Sequence, residues 1–258
     1  MTRIRDRALV LRRFAYGETS LVTQLFTRSH GRVHCLAKGA YRSKSRYCGV
    51  LDLFDTLELE WSAPRGAELV LLAEASIATR RAAIARDLGR YRAALAVLEL
   101  LELGTVAGQS EPALFALAEE TLDGLALAGA DAVLERIAFD LRFLQNLGLA
   151  PALDACAACG GPAPRPTRAG TAFSASSGGC LCPACADEAR AAGRRVAALP
   201  PDVLRVAHVL LTAPVAERRR VRLAAGQTER VRAFVDRFLE YHLETRPRSR
   251  RRAPRPAR

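Results

Sequence analysis

Short runs of β-branched and leucine residues punctuate the first 80 positions, and glycine-bearing turns separate them. Ala8 to Leu11, Leu21 to Phe26 and Val33 to Ala37 are the first three runs, divided by Tyr16-Gly17-Glu18 and Ser29-His30-Gly31. Leu51, Leu53, Leu57 and Leu59 then alternate with Asp52, Asp55, Glu58 and Glu60 within Val50 to Trp61, which reads as a half-buried strand. Ala63-Pro64-Arg65-Gly66 turns this run into Glu68 to Ile77. Five short antiparallel strands with a basic loop between the third and fourth fit a small, partly open barrel of the OB type, and an SH3-like barrel fits almost as well on strand count.

After residue 81 the period becomes helical. Leu134, Ile137, Leu141 and Leu144 share one face, with Phe139 and Phe143 forming a second apolar stripe, so this helix should be well buried. Tyr91 to Leu103 and Pro112 to Ala128 are two further helices, the second with Ser110 as candidate N-cap and proline in its first turn. Val203 to Thr212 is another. The last spans about Thr228 to Glu244, with Val231, Phe234, Val235, Phe238 and His242 on one face. These helices read as one bundle with an insertion. The expected class is therefore a multi-domain α+β chain: an OB-fold domain over 1–80, a helical domain over 81–245, an insertion over 154–190, and a disordered arginine-rich tail over 246–258.

Charge sharpens this division. The 258 residues carry a formal charge of +12, which favours polyanionic partners, nucleic acid first and anionic membrane second. Residues 1–80 hold 13 basic and 8 acidic side chains, whereas 81–155 hold 6 and 11, so the acidic segment suits contact with protein. The N-terminus lacks the uninterrupted apolar core of a signal peptide, and no window of about 18 apolar residues suggests a membrane span. The expected location is the cytoplasm, where the thiol pool would keep the seven cysteines reduced.

Two constellations could carry chemistry. Cys156 and Cys159 form one C-x2-C knuckle and Cys182 and Cys185 another, separated by 22 residues rich in Gly, Pro, Ser and Thr. Four thiolates in two short pairs suit one structural, tetrahedral Zn2+, and the apolar-poor segment between them needs such a staple. Cys180, two residues before Cys182, competes for the fourth position. Histidines 30, 34, 208 and 242 lie away from the knuckles, which disfavours a catalytic zinc.

The other constellation is the stretch KGAYRSKSR, where Lys38, Arg42, Lys44 and Arg46 interleave with Tyr41 and Tyr47 and no acidic residue occurs between Glu18 and Asp52. A flexible loop of this kind suits single-stranded nucleic acid, with phosphates on the cations and bases stacked on the rings. A merely solvated polar loop is the competing reading. With Arg32 added, the candidate nucleic-acid contacts are Arg32, Lys38, Tyr41, Arg42, Lys44, Arg46 and Tyr47. His30, His34, Cys35 and Cys48 read as packing or surface residues. A phosphate loop, a nucleophile elbow and paired catalytic carboxylates are all missing, which weakens the reading as an enzyme.

The order of these parts resembles the bacterial recombination mediator family RecO. YGETSLVTQLFTRSHGRVHCLAKGAYRSKSR, residues 16–46, resembles its first barrel strands and basic loop, while GLAPALDACAACG (148–160) and FSASSGGCLCPAC (173–185) resemble its two knuckles. The resemblance covers about 1–245 and leaves Cys180 and the tail outside the pattern. It implies DNA contacts at Lys38, Arg42, Lys44 and Arg46, zinc ligands at the four knuckle cysteines, and a non-catalytic role in repair. In that role the protein binds single- and double-stranded DNA, anneals complementary strands and, with RecR, loads RecA onto DNA coated by single-strand-binding protein. A zinc-ribbon transcription or RNA-binding factor and a metal-dependent nucleic-acid-modifying enzyme are the alternatives.

Overall fold

The computed structural model describes residues 2–63, 67–162, 170–244, 247 and 249; the arginine-rich tail beyond residue 249 lies outside the described residues. Two compact units divide the chain, Met1–Ala132 and Val133–Arg258.

In the first unit, β1 (Thr2–Tyr16), β2 (Ser20–Thr27), β3 (Gly31–Ala37), β4 (Thr56–Ala63) and β5 (Leu69–Thr79) form a closed barrel in the order β1-β2-β3-β5-β4. Its neighbours are antiparallel except β3 and β5, which run parallel. That order makes the barrel OB-like and settles the choice left open by strand count. Closure puts one side chain in two inside: Ala8, Val10, Leu25, Leu57 and Trp61 fill the interior, each at most 2% exposed, and each large one contributes about 1.5–3 kcal/mol. Gly31 opens β3 at φ +64°, and a Cβ there would meet the Val106 carbonyl at 2.6 Å, so both its conformation and its neighbours require glycine.

The alternating run Val50 to Trp61 is not one strand. Only its second half, from Thr56, enters the ladder. The first half is a loop whose apolar side chains are anchors: Leu51 and Phe54 are each 4% exposed. Phe54 holds a left-handed φ of 74°, a conformation costing on the order of 1–3 kcal/mol. Arg81, 3% exposed, compensates by donating from Nη1 to the Phe54 carbonyl at 2.8 Å and from Nε to Asp123 at 2.7 Å. The Phe54 ring also meets Tyr91 edge-on at 5.3 Å. Arg81→Met should lower stability by about 2–4 kcal/mol, because it orphans a buried carbonyl at a strained residue. A urea titration checks this, and a midpoint unchanged from wild type would exclude it.

Three helices complete this unit: α1 (Ala82–Ala85), α2 (Leu88–Gly104) and α3 (Pro112–Ala126). They belong to the same compact unit as the barrel. Ser110 does not cap α3. The N-cap is Glu111, without a side-chain cap bond, while the Ser110 hydroxyl donates to the Arg28 carbonyl at 3.3 Å.

The second unit opens on α4 (Ala132–Asn146), whose Leu134, Ile137, Leu141 and Leu144 are buried, with Phe139 and Phe143 fully buried and stacked at 5.9 Å. The insertion follows with β6 (Thr171–Ser174), β7 (Gly179–Cys180) and α5 (Pro183–Ala191). Next come β8 (Ala197–Leu199), α6 (Pro201–Thr212), α7 (Val215–Arg218) and α8 (Ala225–His242). Strands β7, β6 and β8 make a three-stranded sheet that sequence reading missed, because strands of two to four residues are too short to show a period. No helix among the described residues is long and apolar enough to cross a membrane.

Candidate nucleic-acid interface and metal centre

The basic stretch after β3 is wound into successive turns. Gly39 (φ +69°) breaks the strand, and the turns repeat in threes: Arg42 N–H to the Gly39 carbonyl, Ser45 to Arg42, and Cys48 to Ser45, at 3.0–3.2 Å. Tyr41 N–H donates to the Thr19 carbonyl at 2.8 Å, tying the stretch to the β1–β2 turn. Tyr47 holds its far end. That ring is 5% exposed, and its hydroxyl donates to the Leu72 carbonyl at 2.8 Å, so burial raises its pKa.

This placement sorts the seven candidate contacts. Lys38, Tyr41, Arg42, Lys44 and Arg46 are exposed together on one loop, and the four cations make no ion pair with any described residue. Tyr41 is 51% exposed and can offer its face to a base. Tyr47 cannot, because its ring is an interior anchor; its visible use is to carry the Arg46 guanidinium, 5.3 Å from its centroid. Arg32 also departs from the expected role. It is half-buried and donates from Nη1 to the Glu102 carbonyl at 2.9 Å, near the C-terminal end of α2, where a cation is favoured by the helix dipole.

The barrel surface beside the loop holds residues that sequence reading missed. Cross-strand pairing puts Phe14 beside Val22, Val22 beside Leu36 and Leu36 beside Leu71, so one row crosses β1, β2, β3 and β5. Phe14 is 47% and Leu71 41% exposed, and Tyr16, at the end of β1, is 58% exposed. The signal was the alternation Arg13-Phe14-Ala15-Tyr16 before Gly17, which extends β1 beyond the run that ended at Leu11. Exposed rings next to unpaired cations are the two components of a single-strand platform.

His30 and Cys35 serve the barrel itself. His30 Nδ1 lies 2.7 Å from Asp6 Oδ2, and its ring meets Trp61 edge-on at 5.5 Å. Burial pushes the Cys35 thiol up to about 12, so it is not a reactive thiolate.

In the second unit, Cys156, Cys159, Cys182 and Cys185 bring their four sulfurs within 4.8 Å of one another. Each knuckle is built locally. Gly160, at φ +71°, turns the chain so that its N–H reaches the Cys156 carbonyl at 2.9 Å and the Cys156 N–H reaches Gly161 at 2.8 Å. Cys182 is the N-cap of α5, with proline at the first helical position and Cys185 in the first turn. The Cys182 N–H points at Cys156 Sγ at 3.3 Å, and this donor above all lowers the Cys156 thiol to about 6. Cys185, sharing its proton first with Cys182, is pushed up to about 12. Four crowded sulfurs, one of them accepting a main-chain N–H, fit a soft divalent cation, which would let all four ionise.

Cys180 does not compete for that position. Its side chain is fully buried in β7, its N–H donates to Ala152 and its carbonyl accepts from Ala157, both at 2.8 Å, and burial raises the thiol to about 11.

The chain is similar to known proteins over nearly its whole length. The family model described as recombination protein O N terminal matches residues 1–81, and that described as recombination protein O C terminal matches 85–251. The DNA repair protein RecO of Anaeromyxobacter sp. (strain K) is 34% identical over 252 residues, covering 97% of this chain and 96% of its own. Those of Myxococcus xanthus and Streptomyces coelicolor are also 34% identical, over 250 and 257 residues, with at least 95% of each chain covered. An OB-like barrel bearing free cations, a four-cysteine centre and matches of this extent together show that the chain belongs to the RecO family of DNA repair proteins.

Proposed function

We propose that this chain is a non-catalytic mediator of recombinational repair in the cytoplasm, at the nucleoid. It binds single-stranded DNA on the barrel, anneals complementary strands and, with RecR, promotes loading of RecA onto DNA coated by single-strand-binding protein. Duplex DNA is the product it releases or holds. The observation that carries this reading is the anchored loop with four unpaired, exposed cations beside a row of exposed aromatic and leucine side chains.

The mechanism follows from that arrangement. Lys38, Arg42, Lys44 and Arg46 neutralise phosphates and release counterions, which lowers the repulsion between two strands brought together. Tyr41, Phe14 and Tyr16 take the bases of an unpaired strand on their faces. Because stacking reads no base edge, binding tolerates any sequence, as annealing requires. The metal we assign to the four thiols is one Zn2+, which would supply a structural cross-link and no reaction step. Cys156 and Cys159 would hold it from the knuckle turn, and Cys182 and Cys185 from the start of α5.

Mixing complementary oligonucleotides, bare and coated with single-strand-binding protein, with and without RecR, tests the reading. Faster annealing on bare strands, and RecA filament growth on coated strands only with RecR, are the expected results. Tight binding to one specific duplex without annealing would instead favour a zinc-ribbon transcription factor.

A further inference from the structure

Arginine supplies the positive charge of this chain almost throughout. Of its 39 lysine and arginine residues only Lys38 and Lys44 are lysine, and both stand in the wound stretch after β3. Both are exposed, and neither makes an ion pair with a described residue. For holding phosphate alone arginine would serve at least as well, because its planar fork matches the phosphate oxygens two at a time. What lysine adds is a primary amine, which can act as a nucleophile and be acylated, as a guanidinium does not.

Both amines have an arginine beside them. Arg42 folds back over Gly39, the residue after Lys38, so that a Cβ on that glycine would lie 3.2 Å from Arg42 Cδ and 3.3 Å from its Nε. Lys44 lies between Arg42 and Arg46 in the chain, and the Arg46 guanidinium rests 5.3 Å from the centroid of the anchored Tyr47 ring. Free guanidinium groups next to an amine can seat an anionic reagent within reach of the nucleophile. From residue 19 to residue 51 the chain has no carboxylate side chain to compete for them.

We propose that Lys38 and Lys44 are acylation sites, modified by a small acyl phosphate whose phosphate docks on Arg42 and Arg46, and that their modification weakens single-strand binding. The second half rests on the reading of this loop as the single-strand site. In the reaction the free amine Nζ attacks the carbonyl carbon of the acyl phosphate. A C–N bond forms, the C–O bond to phosphorus-bound oxygen breaks, and its electron pair leaves with inorganic phosphate. The proton shed by nitrogen passes to that phosphate or to water, and nothing is oxidised or reduced. The product amide is neutral, so each event removes one cation from a site that works by neutralising phosphates.

The test treats the full-length protein with acetyl phosphate or with N-hydroxysuccinimide acetate, an uncharged ester that has no phosphate to dock. Neutral hydroxylamine then removes any thioester from the exposed Cys48, and peptide mass mapping assigns the acetyl groups. Acetyl phosphate should modify both lysines, and bound oligothymidylate should protect them. Arg42→Ala with Arg46→Ala should slow the acetyl phosphate reaction by at least about fivefold relative to the ester reaction. Excess inorganic phosphate on the wild type should likewise slow the first reaction and not the second, which reads docking without a variant. Acetylated wild type should show a slope of log affinity against log salt flatter by about 1.4, two contacts of about 0.7 each. In Lys38→Arg with Lys44→Arg the slope should be the same before and after treatment. Unmodified lysines, equal slowing of both reactions, or an unchanged slope in the acetylated wild type would overturn the proposal. Untreated wild type that fails to bind single strands would instead remove the DNA reading of the loop, and the effect on binding with it.

Discussion

Replacing Lys38, Arg42, Lys44 and Arg46 together with alanine should flatten the slope of log affinity for single-stranded DNA against log salt by about two units or more. Each phosphate neutralised on a single strand contributes about 0.7 to that slope, and three or four contacts are expected from four exposed cations without ion pairs among the described residues. Annealing should fall with it. Tyr41→Ala should weaken binding by roughly 1–3 kcal/mol with little change of slope, because stacking displaces no ions. Tyr47→Ala should act differently again. That ring is an anchor whose hydroxyl holds the Leu72 carbonyl, so its loss should lower stability and loosen the loop. Fluorescence anisotropy across a salt series separates these cases, and an unchanged slope in the fourfold variant would remove the loop from the DNA site.

The contrast between Tyr41 and Tyr47 shows where sequence reading stops. Both tyrosines sit among the same cations, and composition gives no means of telling an exposed ring from one turned into the barrel. Burial of Tyr47 depends on Leu72, 25 residues away. The same holds for Leu51 and Phe54, whose alternation with aspartates mimics a strand although they pin a loop. The strands themselves were legible, since closure of a small barrel imposes inside-outside alternation on every one of them. Chain order β1-β2-β3-β5-β4, by contrast, rests on long-range pairing that no local pattern carries.

The four-cysteine cluster was legible for the opposite reason. Both knuckles are local, so C-x2-C spacing alone fixes each pair of sulfurs, and only the meeting of the pairs needed the fold. Cys180 could be set aside only once β7 placed it.

Protein purified without added metal should contain about one Zn2+ per chain, and stripping it should unfold the region 154–190. The apolar cluster around the centre shows why. Its buried members are Cys156, Leu181, Ala186 and Ala189, with Val196 partly buried against them, so Leu181 is its one large buried aliphatic side chain, worth about 1.5–3 kcal/mol when fully buried. Fixing the backbone of each residue costs roughly 1–2 kcal/mol, so burial of this cluster offsets the ordering of only a few residues. Structural Zn2+ contributes on the order of 10–16 kcal/mol in small zinc-folded peptides, which is the size of effect required. Cys156→Ser should therefore lose the metal and the hydrogen-exchange protection of β6, β7 and α5. Cys180→Ala should keep the metal, since its buried thiol serves packing. Elemental analysis together with amide exchange on both variants decides the matter, and a metal-free chain with the insertion fully protected would refute the assignment.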